Sequence, residues 1–186
     1  MSDHPDVYIA RDGASLAARG VDGKLHVMGR GVNDFTITQW LAADGDARSP
    51  QDVSVKQGSL CSTSGCVMNS ARQEKVVLGL ERDDLQEDCK LANILITPFY
   101  APRQCENAFV IDRETMASHG AVALYRNEGD RPTEKASEKY RLVGARDPNK
   151  NRPWAPRADT LPLSTAPQEN VQRTPIDADA EPLSPR

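Results

Sequence analysis

The sequence predicts an α/β (α+β) fold in which mixed β-sheet layers carry short helices. Short apolar runs separated by Asp-Gly pairs near the N-terminus predict antiparallel hairpins. From Lys75 to Tyr125 strand-like runs alternate with short helical segments, the pattern of layered α/β packing with antiparallel pairs at the edges. At 186 residues the chain is long enough for one domain with a core of its own.

The elements follow in order. Val7-Tyr8-Ile9-Ala10 and Leu16-Ala17-Ala18-Arg19 flank Asp12-Gly13, and Asp22-Gly23 leads into Leu25-His26-Val27-Met28. Asp-Gly between extended runs signals a hairpin whose two central residues take positive φ, so residues 6–29 read as a three-stranded meander. Asn33 or Asp34 is placed to cap a helix over residues 35–41, with Phe35, Ile37, Trp40 and Leu41 on its apolar face. Cys66-Val67-Met68-Asn69 and Lys75-Val76-Val77-Leu78 are the arms of a second hairpin within residues 60–80. A short helix over 83–89 follows, its acidic residues near the positive end of the helix dipole. Residues 92–97 form the most apolar run and read as a central strand. Ala108-Phe109-Val110-Ile111 is another strand. Asp112 then caps a short helix that Gly120 ends, and residues 121–125 and 140–143 complete the strands.

Composition sets the domain limits. Hydrophobic residues make up 38% of the chain, and eight of its thirteen prolines lie beyond Asp147. The predicted organisation is therefore a flexible N-terminus (1–5), a folded body (6–146), a Pro/Trp arm anchored by Trp154 (147–157) and a disordered tail (158–186). The net charge of -4 predicts no general electrostatic grip on phosphate. No run of eighteen apolar residues is present, and the acidic, polar N-terminus is not a signal peptide, so the chain expressed alone is expected in the cytoplasm.

Four cysteines, Cys61, Cys66, Cys89 and Cys105, are the first candidates for chemistry. The Cys61 and Cys66 spacing suits a disulfide at a hairpin end, and Cys89 with Cys105 would tie the helix to the loop after the central strand. Three pairings are formally open, and so are free thiols and a structural zinc, although the second spacing makes no zinc knuckle. Disulfides require an oxidising compartment. His4, His26 and His119 are the only histidines and form no metal-binding run. Asp44 with Asp46, and Asp83-Asp84 with Glu87-Asp88, are acid pairs of the kind that bind a divalent cation or, more commonly, solvate loops and cap helices. Arg141, Arg146, Lys150, Arg152 and Arg157 make a mild basic stretch around Trp154. From it Arg141, Arg152, Trp154 and Arg157 are candidate contacts for single-stranded nucleic acid, through phosphate pairing and stacking. The alternative reading docks Trp154, held between two prolines, against the edge of the core.

Several segments taken together, QWLAADGDAR, the Cys61 to Cys66 turn, EDCKLANILITPFYAP, VIDRE and NRPWAP, resemble a known family. This is the C-terminal, metallo-β-lactamase-like domain of ComEC-type DNA-internalisation (competence) proteins, and the resemblance spans residues 6–157. It implies a partial metallo-β-lactamase-like domain, a membrane channel portion as partner, contact with single-stranded DNA, and a place on the periplasmic side of the inner membrane. A detached fragment of a longer membrane protein would reconcile that location with the missing export signal. In the family the first strand runs into Gly-Asp and the second into a His-His-Gly-Ser loop. Here the matching positions are Leu80, after Gly79, and Phe99-Tyr100 within Pro98-Phe99-Tyr100-Ala101-Pro102. Leu and Phe offer a cation no lone pair, so the expectation is a domain with no metal, no cofactor, no small-molecule substrate and no catalysis.

Overall fold

A computed structural model describes residues 4–127 and 136–146. The arm with Arg152, Trp154 and Arg157 and the tail lie outside the described residues. The elements run β1 (Val7–Ile9), β2 (Ser15–Arg19), β3 (Leu25–Gly29), α1 (Asp34–Ala43), α2 (Val53–Lys56), β4 (Ser59–Cys61), β5 (Gly65–Asn69), β6 (Lys75–Gly79), α3 (Leu85–Leu91), β7 (Ile94–Ile96), β8 (Phe109–Ile111), α4 (Arg113–His119), β9 (Val122–Arg126), α5 (Ala136–Lys139) and β10 (Tyr140–Gly144). They build two five-stranded sheets, ordered β10-β9-β1-β2-β3 and β4-β5-β6-β7-β8. The first is antiparallel throughout, while in the second β6, β7 and β8 run parallel. The α+β class read from the sequence is the class observed.

The sheets stack through one apolar face of each. Val7, Ile9, Leu16, Met28, Val122 and Leu124 of the first meet Met68, Val76, Leu78, Ile94, Ile96 and Ile111 of the second in one buried cluster. Helices cover the outer faces. Ile37 and Leu41 of α1 and Val55 of α2 bury against Ala17, Leu25 and Val27, and Cys89 of α3 buries against Val77 and Leu95. The result is a layered α, β, β, α body, with both faces of β6 and β7 covered, as parallel strands require.

Several local expectations change in detail. In both Asp-Gly turns only the glycine takes positive φ, 66° at Gly13 and 76° at Gly23. The aspartate instead closes the turn with its side chain: Ala14 N–H donates to Asp12 at 2.9 Å and Lys24 N–H to Asp22 at 3.1 Å. These are Asx turns in longer loops, which do not need the two left-handed residues of a two-residue hairpin. Helix α1 is capped by Asn33, whose side chain accepts from Thr36 N–H at 2.8 Å. Its buried residues are Ile37 and Leu41, whereas Phe35 is 73% exposed. Strand β7 is interior and wholly buried, but β6 holds the middle place of its sheet. Asp112 caps α4 by accepting from Glu114 and Thr115 N–H, and Gly120 ends it with φ 73°. The sequence reading missed α2, β4 and α5, elements of three or four residues, too short to show a period.

Candidate functional site

Ligands of open α/β sheets bind beyond the carboxyl ends of parallel strands, here the ends of β6, β7 and β8. Leu80 follows β6 and is half-buried against the core between the sheets. Phe99 and Tyr100 lie in the loop after β7. The Arg82 guanidinium sits 5.1 Å from the Phe99 ring centre, and that of Arg113 5.6 Å from Tyr100. The loop is tied to the start of α4: Arg113 N–H donates to Phe99 O at 3.0 Å and Ala101 N–H to Asp112 at 3.2 Å. A metal of the kind the resembled family holds does not fit this donor set. Leu80 and Phe99 carry no lone pair, and the Arg82 and Arg113 guanidinium cations already lie over one face of the Phe99 and Tyr100 rings, where a further cation would be repelled.

Beside this loop three segments converge on a cleft of about 240 Å³ lined by Arg11, Asp12, Pro98, Arg113, Met116 and Arg146, among others. Gly13 sets the approach. At φ 66° it lets the β1–β2 turn press against the end of β7, so closely that an added Cβ would stand 3.2 Å from Thr97 O and 3.3 Å from Pro98 Cα. Arg113 opens α4. Arg146 is placed by continued antiparallel pairing after β10: Ala145 N–H donates to Ala121 O at 2.7 Å and Arg146 N–H to His119 O at 2.8 Å. The Arg146 guanidinium reaches Ala117 O at 3.4 Å. Among the described residues none of Arg11, Arg113 and Arg146 is in an ion pair. The one carboxylate of the lining, Asp12, is engaged in its own turn. Only Arg146 was singled out in sequence as part of a basic stretch. The three lie far apart in the chain, and no spacing signals their meeting.

A second cleft, of about 350 Å³, is lined by Leu60, Val67, Asp88, Leu91 and the Cys61–Cys66 disulfide. Burial, then the charges of Asp84 and Glu87, raises the pKa of Asp88 above the ordinary carboxyl value. The cysteines resolve into two bridges, Cys61–Cys66 across directly paired residues of β4 and β5, and Cys89–Cys105 from α3 to the loop beyond β7.

The other candidates take structural places. Asp44 pairs with Arg19 at 2.5 Å and Asp46 with Arg48 at 2.6 Å. His26 Nε2 lies 2.8 Å from Asp22 Oδ1, and His119 Nδ1 lies 3.1 Å from Thr115 O. Arg141 lies over Tyr125, 4.4 Å from the ring centre, on the face of β10 opposite buried Tyr140, and does not line the cleft. Among the described residues no three His, Cys, Asp or Glu side chains are grouped to hold a metal ion, and no helix is long and apolar enough to cross a membrane. Comparison with protein-family models, curated proteins and solved structures gave no match.

Proposed function

We propose that this chain is a non-catalytic, disulfide-stapled domain of a DNA-uptake (natural transformation) machinery, akin to the C-terminal part of ComEC-type channel proteins. It would act on the periplasmic side of the inner membrane, docked to the channel portion. The observation that carries the reading is the state of the two strand ends. Where that family places metal ligands, this chain puts Leu80 against the core and Phe99 and Tyr100 beneath the guanidinium groups of Arg82 and Arg113. The two disulfides favour an oxidising compartment.

Co-expression with a ComEC-type channel portion, followed by affinity purification from membranes and metal analysis, tests the proposal. The expected result is co-purification of the oxidised chain without stoichiometric zinc or manganese. Stoichiometric metal with hydrolysis lost on chelation would make the chain a metal-dependent hydrolase or nuclease instead. Failure to associate would make it a free-standing periplasmic binding module.

A further inference from the structure

We infer that the cleft framed by Arg11, Arg113 and Arg146 binds the phosphate backbone of a single nucleic-acid strand, with Tyr100 at its rim as a stacking surface. The inference rests on the proposed role only for the identity of the strand, DNA in transit. The cleft itself is argued from charge and geometry.

The chain as a whole is acidic, with 27 Asp and Glu against 23 Lys and Arg. Its cleft inverts that balance, with three arginines lining it against one aspartate. Like charges gathered from three separate elements repel one another, and an anion seated between them relieves the repulsion. Arg19, Arg48 and Arg126 each have a carboxylate partner, Asp44, Asp46 and Glu74, whereas the three arginines that share this cleft have none among the described residues. An anion seated here would take the place that those carboxylates hold. Guanidinium is planar and carries five N–H donors, which suits the paired oxygens of a phosphate diester.

The neighbouring aromatic makes a strand a better fit than a free anion. Tyr100 is 58% exposed, and its ring is 5.6 Å from the guanidinium carbon of Arg113, which also lines the cleft. One arginine therefore joins a phosphate pocket to a flat ring on which a base can stack, the pairing used by proteins that hold single strands without reading sequence. Arg141, the contact expected from sequence, stands apart over Tyr125.

The test measures fluorescence anisotropy of labelled oligo-dT with the intact oxidised protein over a salt series, with inorganic phosphate as competitor. Three phosphate contacts to a single strand predict a slope of log affinity against log salt of about -2. The triple variant Arg11→Gln/Arg113→Gln/Arg146→Gln is expected to lose more than about tenfold in affinity and most of the salt slope. Tyr100→Ala should lose about tenfold without changing the slope. Arg72→Gln, on the exposed β5–β6 turn, should change neither. If the triple variant fails to fold, Arg11→Glu on the exposed β1–β2 turn carries the same expectation. Affinity unchanged in the arginine variants overturns the cleft. Inorganic phosphate binding as tightly as the oligonucleotide overturns the strand. Arginine-dependent binding by a chain that does not associate with the channel portion leaves the cleft standing and removes the proposed role. Channel association without such binding does the reverse.

Discussion

Two groups of arginines in this domain stand in contrast. At the seam between the sheets Arg126, at the end of β9, bonds Glu74 just before β6 at 2.5 Å, and Tyr140 OH donates to the same carboxylate at 2.6 Å. The Arg126 and Glu74 side chains keep only 10% and 17% of their exposure. Arg19 and Arg48 are likewise half-buried and held by Asp44 and Asp46. At the cleft Arg11 and Arg113 are exposed, and none of the three cleft arginines has a carboxylate partner among the described residues. A buried cation must be paired, because desolvation makes an orphaned charge costly. An exposed cation is free of that demand. Buried paired arginines therefore speak for architecture, while clustered unpaired ones speak for a ligand.

Stability is most sensitive to substitution at the seam. Glu74→Ala would remove a partly buried carboxylate that both Arg126 and Tyr140 bond, and is expected to cost about 3 kcal/mol. Calorimetry should show a correspondingly lower melting temperature, and an unchanged one would remove the seam from the architecture. Replacing Cys89 and Cys105 together by alanine sharpens the contrast from the other side. Their bridge joins residues 16 apart in sequence and anchors the loop that carries Phe99 and Tyr100. Loop-closure entropy predicts a loss of about 3 kcal/mol, against about 2 kcal/mol for Cys61 with Cys66, whose loop is shorter. The first pair alone should also weaken oligonucleotide binding in the anisotropy assay.

Asp46 gives a smaller, pH-dependent effect. The Arg48 side-chain hydrogen bonds hold its carboxyl below the ordinary aspartate value. Its contribution is therefore present above the unfolded-state pKa and lost as the pH falls through the lower folded value. Asp46→Asn is expected to cost about 1 kcal/mol at neutral pH and nothing at strongly acid pH. Melting temperatures of the two proteins should converge on acidification, and a constant gap would contradict the pairing. Asp88 has the opposite sign. Its raised pKa means the charged form is disfavoured in the fold, so Asp88→Asn should slightly raise the melting temperature at neutral pH. The smallest effect on stability belongs to the cleft: any one of Arg11→Gln, Arg113→Gln or Arg146→Gln should stay within about 0.5 kcal/mol of the parent in chemical denaturation.

Local chemistry made much of the fold legible. Asp12-Gly13, Asp22-Gly23, Asn33, Asp112 and Gly120 act through their own backbone neighbourhoods, so their turns and caps are visible in a linear chain. The cysteine spacings likewise admitted the two bridges that form. Residues 59–61 were not legible as a strand, because three residues carry no period and their place comes from pairing with β5. The cleft was hidden for a related reason. Residues 11, 113 and 146 meet only because Gly13 allows one turn to close on Thr97 and Pro98, and because pairing beyond β10 sets Arg146 beside α4. A convergence of long-range contacts leaves no spacing to read.

We infer a strand-holding rim, and not a metal centre, at the carboxyl ends of the parallel strands. The most direct measurement incubates end-labelled single-stranded oligonucleotide with stoichiometric oxidised protein and added zinc or manganese, then resolves the products on a denaturing gel over time. The oligonucleotide is expected to stay intact at every time point while its anisotropy reports arginine-dependent binding. Progressive cleavage that stops on chelation would contradict that inference.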